Sequence, residues 1–163
     1  MTRYTLMSML LLTIISCTKK KPLRPSKNTF KKEWREYLVN KIPDHKQLMK
    51  HNESVKFWVA TFKAIAKTES NFNTTTRHVE SGLGDDLVTG KQNTSEGLLQ
   101  VSYQDSVIHG CNFDWEKDKA LDEKDKDKTI FSPLKNLDCG LKIMSNQLKS
   151  RGSVITDDKP YYW

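Results

Sequence analysis

Apolar residues recur at helical spacing near the middle of the chain, which reads NESVKFWVATFKAIAKTESNFN from Asn52 to Asn73. This pattern predicts a helix with Asn52 as its N-cap and an end near Ser70 and Asn71. The C-terminal end of the helix dipole and partial burial both disfavour a negative charge, so we expect a raised pKa for Glu69. Steps of three or four residues place five side chains on one face of this helix: Val55, Trp58, Phe62, Ile65 and Glu69.

Two further segments have the same periodicity. The segment from Phe30 to Ile42 predicts a packing helix that Pro43 ends. A second helix begins at Ser132, an N-cap followed by proline, and ends before Gly152. Gly140 interrupts its apolar face, and we expect the close approach of another helix there to explain the glycine. That face consists of Leu134, Leu137, Leu141, Met144 and Leu148.

The segments between these helices have little periodicity. Residues Phe72 to Thr94 are rich in Thr, Gly, Asn and Asp and predict a long loop or an irregular β-hairpin. Residues Ser95 to Val101 predict a short strand, and Tyr103 to Asp114 an irregular segment. Glu116 to Lys128 alternates in charge, which is typical of a solvated loop or frayed helix without a site. The pattern therefore predicts a mainly α, α+β fold with a helical core and a small irregular β-hairpin beside the Glu69 helix.

The N-terminus is typical of an exported protein. Residues 1–16 have a positive start and a short apolar run, as in a secretory signal peptide. The letters IISC, which end at Cys17, resemble a bacterial lipobox, so we expect lipidation of Cys17 and an outer-membrane anchor; plain secretion is the alternative. Residues 17–28 are basic and predict a tether. Residues 29–163 form the predicted domain.

The net charge and the cysteine content restrict which binding partners and which cellular compartment the sequence favours. The net charge of +7 and pI near 9.3 favour an anionic partner. The absence of nucleic-acid motifs favours a membrane surface or an anionic wall polymer over nucleic acid. Beyond Cys17, the cysteines are Cys111 and Cys139, which form either a disulfide in an oxidising compartment or two buried thiols. The histidines have no companions at metal-ligand spacing, so no metal is expected.

Three short motifs resemble those of the soluble lytic transglycosylases. The letters ESNFN, which begin at Glu69, resemble the family's ES motif at the end of an apolar helix. The letters GLLQV at Gly97 to Val101 resemble its GLMQ-type segment, and Asn136 with the following leucine resembles its Asn-Ile element. The motifs occur in the family's order, and the similarity covers Glu53 to Arg151.

The resemblance implies a lysozyme-like domain that cleaves the β-1,4 bond between N-acetylmuramic acid and N-acetylglucosamine in peptidoglycan. Glu69 would protonate the departing oxygen and, once ionised, deprotonate the sugar's 6-hydroxyl to give a 1,6-anhydro product. This chemistry needs no cofactor, and we expect a monomer. The expected substrate-binding residues are Ser70, Asp85, Ser95, Gln100, Tyr161 and Tyr162.

A second resemblance favours a hydrolase. The letters GLGD, which end at Asp85, are similar to a stretch in the goose-type lysozymes, where the aspartate helps to hold the hydrolytic water. Those lysozymes carry another aspartate directly after the GLMQ-V run, and this chain has Ser102 there. The transglycosylase interpretation is therefore slightly favoured.

The C-terminus supports a third possibility. Transglycosylases of this type place a tyrosine before a closing helix, whereas here Tyr161 and Tyr162 are followed only by Trp163. We expect either a minimal domain or a shortened one, and in the second case a catalytically impaired wall-binding lipoprotein. A related chitinase or chitosanase is a more distant alternative, since a basic surface disfavours a cationic deacetylated glycan.

Overall fold

The computed structural model describes residues 28–152 and 162–163. The predicted signal peptide, the lipidation of Cys17, all but the last residue of the tether, and Tyr161 lie outside these residues. Helices and strands follow one another as α1 (Lys32–Lys41), α2 (Lys46–His51), α3 (Val55–Ser70), β1 (Arg77–Val79), β2 (Thr94–Glu96), α4 (Asp105–Ile108), α5 (Trp115–Asp118) and α6 (Pro133–Arg151), with 3₁₀ turns at Ile42–Asp44 and Thr129–Phe131.

The fold is mainly α with one small sheet, which confirms the predicted α+β class. Strands β1 and β2 pair antiparallel, with His78 opposite Ser95. These strands and the residues between them, 77–96, are called the hairpin below. No helix within the described part of the chain is long and apolar enough to cross a membrane.

Helix α3 forms where the apolar periodicity predicts it, with two corrections. Its N-cap is Ser54, whose side chain accepts a hydrogen bond from the backbone of Phe57, while Asn52 instead accepts one from the Ser54 amide. Its C-cap is Asn71, with a left-handed φ of 50°. The buried face is rotated from the predicted one, because Val55, Ile65 and Glu69 are only half-buried. The core contacts come from Trp58, Val59, Phe62, Ala66 and Ser70.

Gly140 of α6 is closely packed against side chains from other parts of the chain. A Cβ atom on Gly140 would lie 2.4 Å from Leu99 Cδ1 and 3.1 Å from Phe62 Cε1. A helix does approach Gly140 through Phe62 of α3, but the nearest neighbour, Leu99, lies in a turn. The helix begins at Pro133 after the N-cap Ser132 and ends at Gly152, whose φ is 71°.

The predicted strand from Ser95 to Val101 is mostly wrong. Strand β2 ends at Glu96, and the chain then turns back so that the Glu96 amide donates to the Val101 carbonyl at 2.7 Å. Gly97 and Gln100 adopt positive φ values of 82° and 53°, which an extended strand does not contain. Residues 97–101 are called the glutamine turn below. Apolar side chains at this turn are buried because the turn enters the core, not because it is a strand.

The side chain of Asn136 holds the glutamine turn against α6. Its Oδ1 accepts a hydrogen bond from the Leu99 amide at 2.6 Å, and its Nδ2 donates to the Ile130 carbonyl at 3.0 Å and the Glu96 carbonyl at 3.3 Å. A Cβ atom on Gly97 would lie 2.3 Å from this Nδ2, so a glycine is required there. The Asn-Leu motif of the sequence thus has a structural role.

The charged segment from Glu116 to Lys128 is not wholly solvated. Asp118 is fully buried, and its Oδ2 accepts hydrogen bonds from the Tyr103 hydroxyl at 2.9 Å and the Thr129 amide at 2.7 Å. A segment of alternating charge does not show which of its acids is buried, because the hydrogen-bond partners of Asp118 lie outside the neighbouring residues of the sequence.

The two cysteines of the domain are bonded. Cys111 and Cys139 form a disulfide that joins the segment after α4 to α6 and closes a loop with a sequence separation of 28 residues. This bond confirms the oxidised alternative.

Candidate active site

A cleft of about 590 Å³ opens between the end of α3, the hairpin and the glutamine turn. Its volume falls within the range of ordinary ligand sites, roughly 300–1,000 Å³. The lining is mainly polar, with aromatic rings at one wall: Glu69, Thr76, Arg77, His78, Glu80, Leu83, Asn93, Ser95, Gln100, Ser102, Gln104, Tyr162 and Trp163.

Glu69 lies at the last turn of α3 and lines this cleft. It stands at the edge of the buried face of the helix, so its side chain is half-buried rather than enclosed. Burial raises the pKa of Glu69, and the neighbouring Glu80 carboxylate raises it further. The predicted direction of the shift is confirmed, with a second carboxylate as an additional cause.

Glu80 is a site residue that the sequence analysis missed. It directly follows β1, and its backbone amide donates to the Asn93 carbonyl at 2.9 Å. Its Oε1 accepts a hydrogen bond from the Ser95 hydroxyl at 2.7 Å across the hairpin. Ser95, predicted as a substrate-binding residue, is thus in the cleft, where it orients this second acid. Nothing in the sequence separates Glu80 from the other loop acids, because the strand register brings it to Ser95.

Gln100 lies in the cleft as predicted, at a buried position. Its Nε2 donates to the Thr76 carbonyl at 3.1 Å and the Gly97 carbonyl at 2.9 Å. These bonds fix the amide group against the backbone just before and just after the hairpin. Gln100 has a positive φ, and the residue lines the cleft.

Ser70 is turned away from the cleft. Its hydroxyl is buried and contacts the Ala66 carbonyl at 3.0 Å and the Leu98 carbonyl at 2.8 Å. The second contact joins α3 to the glutamine turn. Ser70 therefore sets the position of Glu69 relative to Gln100 without lining the site.

The structure does not bring Asp85 to the cleft. Its side chain is exposed, and its backbone forms an isolated bridge with Gln92. The adjacent Asp86 is buried instead, where its carboxylate accepts hydrogen bonds from the amides of Val88 and Gln104, both at 2.9 Å. The water-holding arrangement expected from the GLGD resemblance is thus not assembled, and Glu80 is the second acid of the cleft.

Two aromatic residues form one wall of the cleft. The Tyr162 hydroxyl donates a short hydrogen bond to Asp105, and the Trp163 indole N–H donates to the Leu99 carbonyl at 2.8 Å. Their ring centroids are 4.9 Å apart. Tyr162 therefore lies in the cleft as predicted.

The cleft does not contain an evident metal site. Across the described ranges, no group of three or more His, Cys, Asp or Glu side chains is arranged to hold a metal ion.

The fold, with an acid at the end of a core helix beside a hairpin and an open cleft, is similar to that of solved structures. The structure resembles Bd0314 DslA of Bdellovibrio in its wild-type form, with a TM-score of 0.63 and 22% identity over 81% of this chain and 78% of that chain. Two variants of DslA, each with one glutamate changed to glutamine, are also similar, with TM-scores of 0.57 and 0.59. No protein-family model and no curated protein matches the chain.

Proposed function

We propose that this protein is a glycosidase that cleaves the β-1,4 bond between N-acetylmuramic acid and N-acetylglucosamine in peptidoglycan. The observation that carries the proposal is a half-buried Glu69 with a raised pKa in a cleft shared with Glu80. Cleavage of a glycosidic bond requires a proton for the departing oxygen, and a raised pKa favours the protonated form of the acid that donates it.

The structural neighbours support a role for both acids. The two glutamates changed in the DslA variants are separated by the same number of residues as Glu69 and Glu80. Each variant changes one of these glutamates, and the equal separation within a similar fold supports comparing them with Glu69 and Glu80. The lysozyme-like class itself supports a peptidoglycan-related substrate.

The second acid favours hydrolysis over the transglycosylation that the sequence slightly favours. Glu80 shares the cleft with Glu69, and the Ser95 hydroxyl donates a hydrogen bond to one of its oxygens. A carboxylate in this position can either activate water or stabilise the positive charge that builds on the sugar ring. Transglycosylation remains the second candidate, because Glu69 alone can serve as acid and then as base toward the 6-hydroxyl.

Digestion of purified sacculi tests this proposal. Glu69→Gln should lower the release of muropeptides by about 10²-fold or more, the usual contribution of a general acid. Glu53→Gln, which changes an exposed acid just before α3, is the matched control and should release muropeptides at the parental rate. Equal release by Glu69→Gln and the parent, or binding to sacculi without release, would contradict the assignment.

Mass spectrometry of the products separates the two reactions. Reducing ends indicate hydrolysis, and Glu80→Gln should then suppress them. Anhydro ends, lighter by one water, indicate transglycosylation, and Glu80→Gln should then change the rate without changing the product. Anhydro ends among the products of the parent would make transglycosylation the first candidate and hydrolysis the second.

We also propose that the protein acts outside the cytoplasm, anchored by a lipid on Cys17. This rests on the sequence of residues 1–17 alone. Cys17→Ala should move the protein from the membrane fraction to the soluble fraction of the producing cell. An unchanged distribution would refute the anchor and leave the glycosidase proposal intact.

A further inference from the structure

The aromatic residues of the cleft are held by their polar atoms. Tyr162 and Trp163, called the aromatic wall below, each donate a hydrogen bond into the protein, to Asp105 and to the Leu99 carbonyl. Trp163 also lines a second, apolar groove together with Glu69. Trp163 therefore borders both hollows that Glu69 lines.

Asp105 is the residue on which Tyr162 depends. It is the first residue of α4 and is only 2% exposed. Its Oδ2 accepts hydrogen bonds from the Ser102 amide at 2.8 Å, from the Ser102 hydroxyl at 3.1 Å and from the Tyr162 hydroxyl. Its Oδ1 is 4.0 Å from His109 Nε2. Ser102 is itself a cleft residue, so one carboxylate oxygen fixes two parts of the lining.

We propose that Asp105 is a positioning residue that holds Tyr162 against Trp163, so that a sugar ring of the substrate stacks on this wall beside Glu69. This inference rests on the proposed function for the identity of the sugar.

The physical basis is the shape and polarity of the two surfaces. One face of a β-linked pyranose ring presents mainly C–H groups, and burying these against an aromatic ring removes apolar surface from water. The rings bind well only if they are already in place, because ordering them on binding costs conformational entropy. Anchoring both polar atoms inside the protein keeps the rings in place and leaves ring surface for the ligand.

Binding measured without turnover tests the inference. In a Glu69→Gln background, soluble uncrosslinked peptidoglycan strands are titrated while tryptophan fluorescence is followed. Tyr162→Phe and Asp105→Asn should each weaken binding by about tenfold, which corresponds to the loss of one hydrogen bond to a charged group. The double variant should lose less affinity than the sum of the two single losses, because both changes remove the bond between Tyr162 and Asp105.

The chain contains a matched control. Asp118 is also a fully buried carboxylate that accepts a tyrosine hydroxyl, that of Tyr103, but neither residue lines the cleft. Asp118→Asn should lower the stability of the protein and leave its affinity for the strands within about twofold of the parental value. A large loss of affinity in this variant would show that binding responds to a general loss of structure. Tyr162→Phe leaves the bonds between Asp105 and Ser102 intact and provides a second test if Asp105→Asn folds poorly.

Two results would overturn the inference. The first is parental binding by Asp105→Asn or Tyr162→Phe, and the second is a double variant whose loss equals the sum of the single losses. Neither result depends on turnover. If the glycosidase assay fails but the single and double variants bind as expected, the proposed function is refuted and the role of Asp105 is not.

Discussion

Asn136 allows the sharpest test of how this fold holds its cleft. Its side chain is fully buried, and its three hydrogen bonds join α6 to the glutamine turn, to the end of β2 and to the 3₁₀ turn before α6. Asn136→Ala removes all three bonds. The Glu96 carbonyl keeps a bond from the Val101 amide, whereas the Leu99 amide and the Ile130 carbonyl lose their partner.

The expected cost follows from those two orphaned groups. A buried donor or acceptor left without a partner costs about 1–3 kcal/mol, so the variant should lose about 4 kcal/mol of its free energy of unfolding. Small domains have only about 5–15 kcal/mol in total. With a urea dependence of about 1–3 kcal/mol/M, the midpoint of unfolding should fall by about 2 M.

Urea unfolding followed by circular dichroism measures this loss, and Asn93 offers the control. Asn93 is also buried, at 2% exposure, but its Nδ2 has no hydrogen-bond partner. Asn93→Ala should therefore cost less than about 1 kcal/mol. If Asn136→Ala loses no more stability than Asn93→Ala, the account of the glutamine turn is refuted.

Two other predictions concern covalent and electrostatic contributions. Replacing Cys111 and Cys139 together by alanine should lower the free energy of unfolding by about 3.5 kcal/mol, the loop-closure value for their separation of 28 residues. A reductant should lower the melting temperature of the parent but not of this variant. Equal effects of the reductant on both proteins would contradict a stabilising disulfide. The raised pKa of Glu69 means that the folded state binds its proton more tightly than the unfolded state, so ionisation above the unfolded pKa costs stability. Glu69→Gln should therefore be stabilised relative to the parent more at pH 7 than at pH 3 in thermal unfolding, and an equal difference at the two pH values would show that the pKa is not raised.

Local patterns were sufficient to find the acid but not its surroundings. Glu69 could be located because helix periodicity and helix ends depend on residues three or four positions apart. Its companion Glu80 could not, because Ser95 reaches it only through the register of the hairpin. Asp85 ends the GLGD motif but is exposed outside the cleft, and this too depends on how the hairpin folds and not on the local sequence.

The buried face of α3 shows the limit of periodicity even within a helix. The apolar stripe that ends at Glu69 is one face of the helix that could be buried. In the structure, the neighbouring face with Val59, Ala66 and Ser70 is buried instead. This rotation leaves Glu69 at the boundary between core and cleft. A pattern of apolar residues does not specify such a rotation, since it depends on what packs against the helix.

The sequence by itself determined the main helices, the acid at the end of one of them, and the cysteines available for a disulfide, because these follow from local spacing and composition. Only the tertiary structure decided which side chains share the cleft. The deciding contacts, Ser70 to Leu98, Leu99 to Asn136 and Asp105 to Tyr162, join residues far apart in the chain. Such contacts form only when the elements pack together, so their energies are set by the whole core and not by any one segment.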